Sequence, residues 1–142
     1  MLVQHLSTFE VRTIGRGLVE ITAAIRARVA KSGVREGLLT LFLRHTSASL
    51  LVQENADPAV RDDLERFFAR LVRDGDGIFE HRSEGADDMP AHVRSALTAT
   101  QLCIPIMDGR LTLGTWQGVY LWEHRLSGHL RELVVHVLGE SG

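Results

Sequence analysis

Val3, His5, Ser7, Phe9 and Val11 alternate with Gln4, Leu6, Thr8, Glu10 and Arg12. This two-residue period places successive side chains on opposite faces of a strand and cannot serve a helix of 3.6 residues per turn. It predicts a first strand over Val3 to Thr13. Leu18, Ile21, Ile25 and Val29 then recur at helical spacing, a stripe that Lys31, Ser32 and Gly33 bring to an end. Leu38 to Leu43, opened by Gly37, is too short for a core helix and reads as a buried strand, with Ser47 to Gln53 a second one.

Asp57 and Pro58 form a helix opening, the carboxylate free to cap and the proline tolerated in the first turn. Behind them Val60, Leu64, Phe67, Phe68, Leu71 and Val72 give the cleanest helical face in the chain. Residues 74–77 (DGDG) and 82–88 read as polar loops. A shorter helix from about Asp88 and Pro90 is expected to bury Val93, Ala96 and Leu97. Leu102 to Met107 reads as a strand, and Asp108-Gly109 between apolar runs is the strongest hairpin signal present. Leu111 to Leu113, Gln117 to His124 and Leu130 to Leu138 complete the strands. Helices scattered among hairpin-connected strands, without regular strand-helix-strand alternation, predict an α+β fold with a largely antiparallel sheet. The chain's 142 residues suit one domain, 1–142.

With 44% apolar and 24% charged residues the chain belongs to ordinary globular proteins, which excludes disordered and fibrous classes. The net charge of −2, with Lys31 the lone lysine among sixteen scattered basic residues, argues against a partner with a phosphate backbone; no nucleic acid is expected. The single cysteine, Cys103, lies in an apolar run and predicts a buried, reduced thiol. No apolar run is long enough for a membrane span and none resembles a signal peptide, so a cytoplasmic protein is expected.

Three clusters could carry chemistry. In the first, Arg44, His45, Thr46, Ser47 and Ser49 crowd against a strand predicted to be buried, where hydroxyls and an imidazole need partners. Backbone bonding at a turn is the ordinary alternative. The second holds His81 and His92, eleven residues apart across a loop, with Asp87 and Asp88 before a helix that they could simply cap. A metal ion on His45, His81 and His92 lacks any short zinc signature. In the third, Gly114 and Gly118 flank Trp116 and Gln117, and Glu123, His124 and Arg125 follow. Glu123 and Arg125 share one strand face, as an ordinary surface pair would, while His124 takes the other. A cleft that gathers histidine, carboxylate, amide and aromatic groups describes a small-molecule site.

The strings HTSASLLVQENAD at 45–57, HRSEGADDMPAH at 81–92 and GRLTLGTWQGVYLWEHR at 109–125, in this order, resemble the YjbQ family of small uncharacterised proteins, also described as a secondary thiamine-phosphate synthase family. The resemblance covers nearly the whole chain. It implies two packed sheets with flanking helices, assembled as a homotrimer. It also implies a weak activity that joins hydroxymethylpyrimidine pyrophosphate to a thiazole phosphate with loss of pyrophosphate. His45, Ser47, Glu54, Asn55, His81, His92, Trp116 and Gln117 fall in the matching motifs. On this basis Glu54, Asn55, Trp116 and Gln117 are expected in catalysis, and His45, His81 and His92 on a metal ion. Ser47, Arg44, His124 and Arg125 are expected to bind substrate, the two arginines by meeting phosphate.

Loss of pyrophosphate needs charge neutralisation, for which carboxylates such as Glu54, Asp57, Asp87 and Asp88 could hold Mg²⁺. Three neutral imidazoles instead favour Zn²⁺. The same pocket would also suit a binding module for a phosphorylated metabolite without turnover, and the polar motifs could equally be networks between subunits.

Overall fold

The computed structural model describes all residues, 1–142. In chain order the elements are β1 (Leu2–Arg12), β2 (Gly17–Glu20), α1 (Thr22–Ser32), β3 (Val34–Leu43), β4 (Ala48–Glu54), α2 (Pro58–Leu71), α3 (Asp88–Leu97), β5 (Gln101–Met107), β6 (Arg110–Leu111), β7 (Gln117–Glu123) and β8 (Leu130–Ser141). The strands form a five-stranded sheet, β1-β8-β3-β5-β6, and a three-stranded sheet, β2-β7-β4. Every strand pairing is antiparallel.

Alternation decides which residues fill the space between the sheets. Leu39, Leu41 and Leu43 of β3, with Leu133, Val135 and Val137 of β8, meet Ala48, Leu50, Val119 and Leu121 of the smaller sheet in one hydrophobic cluster, and Ile25 and Val29 of α1 close it. The intervening residues of the five-stranded sheet face outward, where no helix lies over Leu38, Phe42 or Leu138. Gly37 of β3 stands opposite Gly139 of β8. A Cβ on Gly37 would lie 2.1 Å from the Leu138 carbonyl oxygen, so the close approach of the two backbones requires glycine there.

Asp108 and Gly109 both take positive φ, 51° and 77°, as a two-residue hairpin turn demands. Asp57 caps α2, its carboxylate accepting from the Ala59 amide at 2.9 Å. Phe68 of α2 packs edge-on to Trp122 at 4.8 Å, and Arg61 donates to the Tyr120 hydroxyl at 3.1 Å. Thus α2 covers the outer face of the three-stranded sheet.

Four expectations change. Leu18 opens no helix: with Val19 it belongs to β2, which pairs with β7, and α1 begins at Thr22. Of the clean apolar stripe only Val72, just past the end of α2, is buried, because the helix lies against polar as well as aromatic groups and leaves Phe67 and Leu71 exposed. The expected buried face of α3 is reversed: Asp88, Pro90, Ala91, Arg94 and Ser95 are enclosed, while Ala96 and Leu97 are exposed. Its docking is polar, with Arg94 paired to Glu65 and Ser95 donating to the Ala48 carbonyl at 3.1 Å. Cys103 sits on the outward face of β5 and is exposed.

Candidate metal and small-molecule site

The start of α3 sets the spacing on which the site depends. Asp88 and His92 are four residues apart, one turn along the same helical face. His81, from the preceding loop, folds back onto the same carboxylate. Asp88 Oδ2 lies 2.7 Å from His81 Nε2 and 3.1 Å from His92 Nε2, and one ligand atom from each of the three residues falls within 4.8 Å of the others. Asp88 is only 4% exposed. Burial pushes its carboxyl group up, but the His81 hydrogen bond and the charges of His92 and Arg125 outweigh this and hold it below the usual carboxylate range. The ionised form is therefore favoured.

The orientation of His92 is fixed from behind. Its Nδ1 donates to the Thr46 carbonyl at 2.8 Å, so a neutral ring carries its lone pair on Nε2. That lone pair faces an ionised carboxylate oxygen. Two acceptors so placed need a cation between them, either a proton or a metal ion. Two ligand atoms, each about 2.1 Å from a zinc ion, stand about 3.0–3.4 Å apart for angles between right and tetrahedral. The 3.1 Å separation of His92 falls within this interval, whereas the 2.7 Å of His81 is a hydrogen-bond distance that would have to lengthen for both to hold one ion. A backbone carbonyl holding the far nitrogen is the usual way a ligating histidine is oriented.

Arg125, expected to meet phosphate, has all three of its guanidinium nitrogens engaged within the chain. Nε donates to Asp87 Oδ2 at 2.9 Å, Nη1 pairs with Asp88 Oδ1 at 2.9 Å and Nη2 donates to the Glu84 carbonyl at 2.8 Å. It fastens the loop before α3 to the end of β7. Asp87 does not cap α3; its carboxylate takes Arg125 and the Leu126 amide.

His45 stands apart from this group, whose third member is Asp88. Its Nε2 accepts from the Glu132 amide at 2.9 Å, and its Nδ1 faces the Arg131 guanidinium at 3.3 Å, a poor position for a cation. Burial, and then the Arg131 charge, lower its pKa and favour the neutral ring. It does share a cavity of about 590 Å³ with His92, Arg44 and Thr46. Arg44 is exposed there and paired with Glu132 at 2.6 Å. A second cavity of about 260 Å³ lies on the His81 side, beside Phe79 and Met89.

Ser47 and His124 do not open onto these cavities. Ser47 is buried and its carbonyl accepts from Arg131 at 3.2 Å. His124 is wholly enclosed, its Nε2 2.8 Å from the Ser49 hydroxyl, so substrate cannot reach it. Glu123, expected in a surface pair with Arg125, is instead buried on the core-facing side of β7. Its carboxylate takes Arg131 Nε at 2.8 Å, Arg131 Nη2, and the Thr13 hydroxyl at 2.6 Å.

Glu54, Asn55, Trp116 and Gln117 assemble elsewhere. The register of β4 with β7 pairs Ala48 with Glu123 at one end and Glu54 with Gln117 at the other. Seven residues of strand separate the two ends by roughly 20 Å. At the far end Asn55 donates to the Gln117 carbonyl at 3.3 Å and its amide to the Trp116 carbonyl at 2.9 Å, while the Glu54 carboxylate accepts from the Asp57 amide at 2.9 Å. Trp116 is 64% exposed. Within one chain the sequence motifs therefore build two separate clusters. Asp88, read from the sequence as a carboxylate for Mg²⁺, instead joins His81 and His92, and its four-residue spacing to His92 is the sequence signal for that pairing.

Two facing antiparallel sheets, with a histidine-carboxylate group at the head of a helix on the smaller one, define an α+β protein with a candidate metal and small-molecule site. The description "UPF0047 protein YjbQ-like" matches residues 7–140. The chain belongs to this family. It is 56% identical over 137 residues to a UPF0047 protein of Synechocystis sp., covering 96% of this chain and 93% of the relative. It is 46% identical to the UPF0047 protein YjbQ of Escherichia coli O157:H7, over 96% and 99% of the two chains. Among solved structures, a YbjQ-like protein of unknown function from Sulfolobus solfataricus P2 superposes with a TM-score of 0.90 at 23% identity, covering 99% of this chain and 100% of the other. A YjbQ/UPF0047 family protein from Clostridium acetobutylicum gives 0.85 at 30% identity over 92% and 98%. No helix is long and apolar enough to cross a membrane.

Proposed function

We propose that His81, Asp88 and His92 hold a divalent transition-metal ion, and that the protein uses it on a phosphorylated small molecule seated in the adjoining cavity. The observation that carries this reading is the Thr46 carbonyl, which takes the Nδ1 proton of His92 and turns the Nε2 lone pair toward Asp88. Two imidazoles and one carboxylate suit Zn²⁺, whereas Mg²⁺ prefers oxygen ligands alone. The bound ion would supply positive charge to a departing phosphate oxygen. Arg44 adds a guanidinium at the cavity wall, and its exposed pair with Glu132 is weak enough to exchange for phosphate. Arg125 keeps Asp88 in place. The reaction we assign is the thiamine-phosphate synthase chemistry that the sequence resemblance implies, with pyrophosphate as the leaving group. A single unpaired thiol accords with a cytoplasmic location.

Glu54, Asn55, Trp116 and Gln117 gather at the end of β4 and β7 roughly 20 Å from Ala48 and Glu123, away from the histidine group, and this favours a second reading, a binding module without turnover. The two part company in one set of measurements. Wild-type protein equilibrated with zinc is expected to hold about one equivalent by elemental analysis. Asp88→Asn is expected to weaken zinc by more than the roughly 10–100-fold that loss of an outer partner produces. Equal zinc in wild type, Asp88→Asn and His92→Ala would rule out the metal site. Thiamine phosphate formed by zinc-loaded protein from the two substrates supports the enzyme; a thermal shift with pyrimidine or thiazole phosphates but no product supports the module.

We further assign a homotrimer to the bare face of the five-stranded sheet, supported by Leu38, Phe42 and Leu138 standing outward without a covering helix. Phe42→Asp is expected to sediment as a folded monomer. A wild-type protein that already sediments as a monomer would refute the assignment.

A further inference from the structure

Between α3, α2 and the outer face of β7 lies a buried layer of polar side chains that the site above does not use. Arg94 of α3 is wholly enclosed and donates from Nη1 to the Glu65 carboxylate. The other oxygen of Glu65 accepts from Trp122 Nε1 at 2.8 Å. His124, on the same side of the strand, places its ring 5.1 Å from that of Trp122 and bonds Ser49 through Nε2. Three atoms remain without a protein partner: Arg94 Nε, Arg94 Nη2 and His124 Nδ1.

These atoms are not a random remainder. Arg94 Nε–H and one Nη2–H lie along the same edge of the guanidinium and point in parallel, forming the fork that elsewhere grips two oxygens or one. His124 supplies the complement. If its Nε2 carries the proton toward Ser49 Oγ, Nδ1 is a bare acceptor. Burial, followed by the nearby charge of Arg94, keeps the ring neutral, with a pKa lowered to about 3. Two donors and one acceptor in the same buried layer, all shielded from solvent, fall within the bonding capacity of a water molecule, which accepts two hydrogen bonds and donates two. An anion fits less well, because Glu65 already balances Arg94 and a second negative charge would be buried without a counter-ion.

We infer that the open edge of Arg94 and the Nδ1 of His124 together form a buried site for one ordered water molecule, which bridges α3 to β7. It accepts from both nitrogens of the fork and donates to the imidazole. Native interiors rarely leave such atoms unpaired, and internal waters typically make about three hydrogen bonds. The bridge lies one half-turn beyond His92 on the helix that also carries Asp88, so it helps seat the candidate metal ligands whatever they bind.

Oxygen-17 magnetic relaxation dispersion counts long-lived internal waters in solution. Wild-type protein is expected to show one more such water than either His124→Phe, which removes the acceptor, or Arg94→Lys, which keeps the charge for Glu65 but removes the fork. A crystal structure should place that water within about 2.6–3.2 Å of the three atoms. An unchanged water count in both folded variants would overturn the inference. So would density for an anion at the fork, or Arg94 and His124 bonded directly to each other.

Discussion

Glu123→Ala is expected to destabilise the protein by about 3–5 kcal/mol, the range seen when one member of a buried ion pair is removed. Glu123 and Arg131 are 0% and 3% exposed, and their two-pronged contact joins β7 of the smaller sheet to β8 of the larger. Without Glu123, the Arg131 charge stays enclosed with the Ser47 carbonyl and the edge of His45 as its partners. Burial raises the Glu123 carboxyl, yet hydrogen bonds from Arg131, Thr13 and the Arg125 amide overcome this and hold its pKa low. Urea denaturation checks the effect. The control is Glu123→Leu combined with Arg131→Met, expected to recover most of the loss because no charge is left behind. A single variant within about 1 kcal/mol of wild type would mean that solvent reaches the pair after all.

The second large effect concerns acid. His124 is enclosed, with its pKa depressed from 6.5 to about 3, first by burial and then by Arg94. Above pH 6.5 the imidazole is neutral in both folded and unfolded chains and contributes no pH dependence. Below it the unfolded chain takes up a proton that the folded chain refuses, so stability falls by about 1.4 kcal/mol per pH unit until the folded pKa is reached. Between pH 6.5 and 4.5 His124 alone should remove roughly 3 kcal/mol. His45, also depressed, adds in the same direction. Asp88 and Glu123 act lower: their depressed pKa values stabilise the fold above the unfolded carboxylate range and that contribution is lost only as the pH drops through their folded values. Unfolding free energies of wild type and His124→Phe measured across this window should therefore diverge in slope. Parallel curves would show that His124 titrates normally.

Local rules made much of the fold readable. The alternation of residues 3–12, the Asp57 cap and the Asp108-Gly109 turn each depend on nearby residues, and each appears where its pattern lies. β2 was hidden because four residues carry too little periodicity to compete with the helical spacing of Leu18 with Ile21 and Ile25. The buried face of α3 was hidden for a different reason: Arg94, Asp88 and Ser95 are enclosed through partners from α2, β4 and the end of β7, which no periodicity in the helix itself can announce.

The site divides in the same way. His81 and His92 stood out as a dense polar loop, and they do meet. His45 did not join them because the end of β3 directs it toward Glu132 and Arg131 on the neighbouring strand. Glu54 and Trp116 belong to motifs as dense as any, yet antiparallel register carries them to the opposite end of β4 and β7.

The position of β8 between β1 and β3 has a temporal consequence for a chain made from one end to the other. While residues 130–141 are still within the ribosome, the opening strand has no neighbour, and its exposed edge must wait through the synthesis of everything in between. The larger sheet can close only as its final strand slides into a slot bordered on both sides. Assembly is therefore governed by long-range pairing and should be slow for a protein of this size, with the newborn chain most prone to aggregate until β8 has paired.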